Sequence, residues 1–221
     1  MLFKSILNLF FFFSVIGSSL SFSQSNHQIK KIDSAQCAER RTNLNSTFGA
    51  NKDIPSEIQI ATLVALSYFP ELISTNICFK KAEIKTSLNA QPKILSLLFR
   101  KKSKRKYIIR YADNDDSTKV LFKDASFNAR VGVLAHELNH IMDFSSKNIF
   151  GVIGRGLSYA SKKKKEKFEK KIDQMTIELG LGWQLYAWAV YILEGDTATE
   201  EYKEFKREIY LEPEEIISAL K

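Results

Sequence analysis

The stretch His136-Glu137-Leu138-Asn139-His140 constrains this chain more than any other. Residues 127–144 around it carry the apolar spacing of a helix. At 3.6 residues per turn, positions four apart lie about 40° apart around the axis, so both imidazoles leave the helix in one direction and can grip one ion. Glu137 sits about 100° round, beside the two ligands and not among them. A carboxylate there can take a proton from water without occupying the metal. Leu134, Leu138 and Ile141 fall about 140–200° from His136, on the opposite side, while Val133 and Phe144 flank the histidines. A helix that displays His and Glu between Val133 and Phe144 is more readily explained by a metal than by solvent exposure.

A catalytic zinc site takes three protein ligands and keeps one position open. The chain has three histidines, and the remaining one, His27, lies in a polar stretch near the N-terminus. The third ligand is therefore expected to be a carboxylate. Glu169, on the next long helical segment, is the candidate. Phe168, Ile172, Met175 and Leu179 form an apolar stripe there, and Glu169, Asp173 and Thr176 run beside it. Two carboxylates bordering a buried stripe are costly unless partnered. A metal for Glu169 and a histidine N–H for Asp173 would remove that cost, and the second contact would fix the imidazole tautomer. The competing reading is a surface carboxylate pair, with Glu169 facing Lys165.

The rest of the chain is organised around that segment. Residues 1–23 have a short basic start, a dense apolar run over residues 5–16 and small residues before Gln24, the layout of a cleaved export signal; an uncleaved anchor is the alternative. Export implies a periplasmic or extracellular protein. Residues 24–52 read as a polar, mobile lead-in with a short helix near residues 35–40, and residues 53–221 as one domain. Within it, the spacing predicts a helix over residues 55–68, strands over 77–86, 107–111 and 119–122, the last two as a hairpin, and a turn at 113–117. Residues 145–161, bearing three glycines, read as a loose connection, open to use as a flap. Helices follow over 162–188, with breaks possible at Gly180 and Gly182, over 200–210, and from Pro213. A small, mostly antiparallel sheet followed by helices makes an α+β fold.

Cys37 and Cys78 are the two cysteines. A bridge between them would close a loop of about 40 residues and contribute roughly 4 kcal/mol; two separate thiols are the other reading. The net charge is +8. Such a chain suits anionic lipids, envelope polymers or acidic substrates. Nucleic acid is not expected, because the leader directs the chain outward and no interleaved basic and aromatic motif is present. The block at residues 162–167, with five lysines, can be a solvated helix face or a contact with an anionic envelope surface. The aromatic run from Trp183 to Tyr191 reads as core.

These residues resemble the gluzincin metallopeptidases, in which H-E-x-x-H on one helix is followed by E-x-x-x-D on a later one. Leu134 to His140 together with Phe168-Glu169-Lys170-Lys171-Ile172-Asp173 is most similar to the minimal gluzincins, over roughly residues 105–190. The resemblance implies a zincin-like domain binding one zinc ion through His136, His140 and Glu169, with Glu137 as general base and Asp173 orienting a histidine. It also implies a peptide or protein substrate lying along an edge strand ahead of the active-site helix, here residues 119–122. A transition-state donor would come from Tyr186, Tyr191 or Arg155. The metzincin pattern does not fit, since Asp143 and Ser146 stand where its glycine and third histidine belong. Two other functions stay open: a non-catalytic, zinc-containing envelope binding or maturation factor, and a metal-free envelope-binding protein driven by the lysine block.

Overall fold

The computed structural model describes residues 28–112, 120–196 and 198–221. The expected leader, His27 and the turn at 113–117 lie outside these residues. The chain begins with two short helices, α1 (Ser34–Glu39) and α2 (Arg41–Phe48), and then a two-residue strand, β1 (Lys52–Asp53). The side chain of Asp33 caps α1 by accepting from the backbone N–H of Ala35. Cys37, Leu44 and Phe48 pack against the core, so the segment read as a polar lead-in is attached to the domain. Cys37 and Cys78 are both free thiols, and Cys78 Sγ lies 3.3 Å from Asp53 Oδ2.

A 3-10 turn leads into α3 (Gln59–Leu66), followed by β2 (Asn76–Lys81), β3 (Leu88–Pro92), α4 (Ile94–Phe99) and β4 (Lys106–Tyr111). The sheet order is β1-β2-β4-β3. β1–β2 and β2–β4 are parallel and only β3–β4 is antiparallel, so the sheet is mixed and not mostly antiparallel. The reason lies in β3, a strand the periodicity does not reveal. Its sequence Leu-Asn-Ala-Gln-Pro lacks β-branched residues, and its proline is tolerated because β3 is an edge. It takes the antiparallel place beside β4 that residues 119–122 were expected to fill. Of these, residues 120–122 form no strand, and Lys119 lies outside the described residues. Val120 and Leu121 are buried coil, and Phe122–Asp124 is a 3-10 turn. Their backbone acceptors are met by side-chain hydroxyls: Ser87 Oγ donates to Val120 O (2.7 Å) and Tyr191 OH to Leu121 O (3.0 Å). Apolar burial alone therefore mimicked a strand. β2 also stops at Lys81, short of residue 86.

The sheet packs on α3 and on α5 (Phe127–Ser146), with the inward residues Tyr107, Ile109 and Tyr111 of β4 in one core with Leu134, Leu138 and Ile141 of α5. Ser126 caps α5 by accepting from the N–H of Ala129. The segment expected to be a loose connection is α6 (Ile149–Ser158), capped by Asn148. α7 (Lys162–Thr176) follows, then a π turn in which Gly180 takes φ 87°, then α8 (Gly182–Leu193), α9 (Glu200–Ile209) and α10 (Pro213–Ala219). A positive φ favours glycine, so the break expected at Gly180 has a backbone cause. α5 lies between α3, β3, α7 and α8. A Cβ on Gly132 would overlap the backbone carbonyl of Gln184, so this glycine lets α5 and α8 meet backbone to backbone. The fold is α+β, with α5 held at its centre.

Candidate metal centre

α5 and α7 bring His136, His140 and Glu169 together. His136 Nε2 and His140 Nε2 lie 3.1 Å apart, and Glu169 Oε2 is 3.2 Å from each. All three residues are buried, and this group could hold a metal ion. Asp173, one turn after Glu169, places Oδ1 2.8 Å from His136 Nδ1. Its other oxygen accepts from the backbone N–H of Leu211 at 2.9 Å. An ionised Asp173 can only accept, so His136 donates from Nδ1 and turns the lone pair of Nε2 toward Glu169. Tyr159, just after α6, donates to Glu169 Oε1 at 2.6 Å, which leaves Oε2 for the histidines. Asn139 donates to Thr176 Oγ1 at 3.0 Å and fastens the two helices one turn further on.

The arrangement is suited to a cation. Two imidazole nitrogens and a carboxylate oxygen face one another at about hydrogen-bond distance inside the protein. If both rings present lone pairs, three acceptors converge with nothing between them. Glu169 Oε2 makes no hydrogen bond of good geometry, although it is buried. In the metal-free protein a proton takes the cation's place. Burial alone would lower the pKa of His136, but its hydrogen bond to Asp173, its close contact with Glu169 and the charges of both push it up to about 10. Burial likewise opposes the charge on Glu169, yet His140 and His136 hold its carboxyl well below the usual range. His140 Nδ1 is buried without a partner among the described residues.

Glu137 is also buried, and its Oε2 has no partner among the described residues. Burial raises its pKa, against the opposing charges of His140 and His136. It lines a cleft of about 420 Å³ together with His140, Glu169 and β3. β3 is the sheet edge on this cleft. Ser87 O accepts from Ala112 N–H at 2.9 Å, and Lys93 N–H donates to Lys106 O at 2.8 Å. Odd-numbered residues here thus bond to β4, while Leu88 and Ala90 direct their backbone groups to the open side. Leu88 O accepts from Thr86 Oγ1 at 2.7 Å, so Ala90 offers both an N–H and a C=O outward.

The residues expected to supply a transition-state donor fall elsewhere, with one exception. Tyr191 is spent on Leu121, and Tyr186 packs on Trp183 at 5.8 Å between ring centres. Arg155 does line the cleft, but its guanidinium is bound to Asp143 at 3.0 Å through two nitrogens and lies 3.6 Å over the Phe168 ring. Two tyrosines that the sequence did not single out stand at the site instead: Tyr159 on Glu169, and Tyr210, whose ring centre is 5.6 Å from that of His136. Neither shares a helix with the motif residues, so no helical spacing could have marked them.

No protein-family model matches the chain, and neither a curated protein nor a solved structure shows significant similarity to it.

Proposed function

We propose that this chain is an exported, zinc-dependent peptidase of the gluzincin type, with a zincin-like domain. The observation that carries the reading is the triangle of donor atoms from α5 and α7. Tetrahedral zinc with bonds of about 2.0–2.2 Å sets neighbouring donor atoms roughly 3.3 Å apart. The separations here are 3.1, 3.2 and 3.2 Å. Two imidazoles and one carboxylate are a donor set suited to zinc, and they leave a coordination position for substrate and water.

A bound zinc ion would polarise the scissile carbonyl and ease deprotonation of the attacking water. The chain's own residues do the rest. Glu137 takes the water proton and delivers it to the leaving amine, the role of a single general base and acid. Asp173 holds the His136 ring, and Tyr159 holds Glu169. The open edge of β3 is suited to an extended peptide, which would add as a further strand across Ala90 and pass its backbone in front of Glu137. A peptide or protein substrate is therefore favoured over a compact small molecule.

Glu137→Gln tests the proposal. The variant is expected to keep its full zinc content and to lose at least a hundredfold in cleavage of a quenched-fluorescence peptide library. Unchanged cleavage would remove Glu137 from the mechanism. A wild-type protein that holds zinc and cleaves nothing would favour a non-catalytic, zinc-containing factor.

A further inference from the structure

We propose that the face built from α4, α6 and the start of α7 docks on the surface of an anionic lipid bilayer. Ile94, Leu95, Leu98 and Phe99 of α4 are exposed, Phe99 at 80%. On α6, Phe150, Ile153 and Leu157 are exposed, Phe150 at 78%. Residues 94 and 98, and 95 and 99, are four apart; 150, 153 and 157 are three and four apart. Each helix thus turns an apolar stripe outward, while Leu97 and Val152 point into the protein. Both helices line the same cleft. The loop after α4 is tied to the α5–α6 junction, with Lys102 Nζ donating to Ser146 O at 2.8 Å and Arg105 to Lys147 O at 2.7 Å.

Charge identifies the partner. Residues 93–105 hold six basic and no acidic side chains, and residues 147–167 hold seven basic side chains against the one acid Glu166. Lys147 and Arg155 are both paired with Asp143, Lys162 is committed to Glu208 and Lys165 lies over the Phe205 ring, whereas Lys163, Lys164 and Lys167 are exposed. Exposed apolar stripes bordered by lysines match a surface that is negative outside and apolar beneath, which is an anionic bilayer. A second copy of the chain would bring the same positive face into contact and be repelled. A soluble polyanion would engage the lysines and leave the apolar stripes unused. Among the described residues no helix is long and apolar enough to cross a membrane. The inference stands apart from the zinc reading, because neither stripe contains a residue of the metal centre.

The test is sedimentation of the full chain with vesicles of phosphatidylcholine alone or mixed with phosphatidylglycerol, at low and high salt. Binding is expected only with phosphatidylglycerol, and is expected to weaken with salt. Lys163→Gln with Lys164→Gln should lose roughly 25-fold in affinity, taking about fivefold for each lysine. Phe99→Ser with Phe150→Ser should lose on the order of a hundredfold, with the circular dichroism spectrum and Tm unchanged. Equal binding to neutral vesicles overturns the proposal. So does retention of binding by the phenylalanine variant, which would assign it to another segment such as the apolar run at residues 5–16. Sedimentation that shows a dimer dispersed by Phe99→Ser also overturns it, as does tight binding to soluble polyphosphate that is indifferent to the phenylalanine substitutions.

Discussion

His136 donates from Nδ1 to Asp173, and that one hydrogen bond decides which ring nitrogen faces Glu169. Asp173→Ala should therefore leave the three ligands in place and still weaken zinc binding by about 10–100-fold, read by competition with a chromophoric chelator. Unchanged affinity would mean that packing alone holds the ring. Protonation supplies a second test at this scale. In the metal-free protein the pKa of His136 is raised from 6.5 to about 10, because Asp173 and Glu169 outweigh the effect of burial. A raised pKa contributes stability that is fully present below pH 6.5 and is lost as pH climbs toward 10. Zinc does not titrate away over that range. The Tm of the zinc-loaded protein should pull ahead of the metal-free protein from pH 6.5 to 9.5, and a constant gap would contradict the cation argument. Most of this was legible in the sequence. His136, Glu137, His140, Glu169 and Asp173 announce themselves by helical spacing. Tyr159 and Tyr210 do not, because their place at the site depends on how α6 and α9 are folded back over it.

Helices with a strong apolar period were readable, as were the alternating strands β2 and β4, whereas β3 and α6 were not. α5 emerged within two residues of its expected end because buried positions recur along it. β3 was hidden because it owes its strand conformation to β4 and not to its own composition, and α6 was hidden by its glycines. α6 is a helix nonetheless, since Asn148 caps its start and Arg155 ties it to Asp143 at the end of α5. Close packing at element level carries a prediction of its own. Gly132→Ala would set a methyl against the Gln184 carbonyl and push α8 from α5. A loss of about 1–3 kcal/mol in urea denaturation is expected, with weaker zinc retention as the α5–α7 spacing shifts. A neutral outcome would show that the two helices can separate freely.

At the scale of the whole molecule, one buried helix links three functions of the fold. α5 fills the core against the sheet, carries two of the three converging donors, and sets Glu137 at the floor of a cleft rimmed by the edge strand β3. α7 closes the centre from the other side with Glu169 and Asp173. The central claim is that side chains from these two helices share a single zinc ion. Elemental analysis of the purified wild type and of Glu169→Ala tests it most directly. The account predicts one zinc per wild-type chain and almost none in the folded variant. A wild type without zinc, or a variant that keeps its full complement, would contradict it.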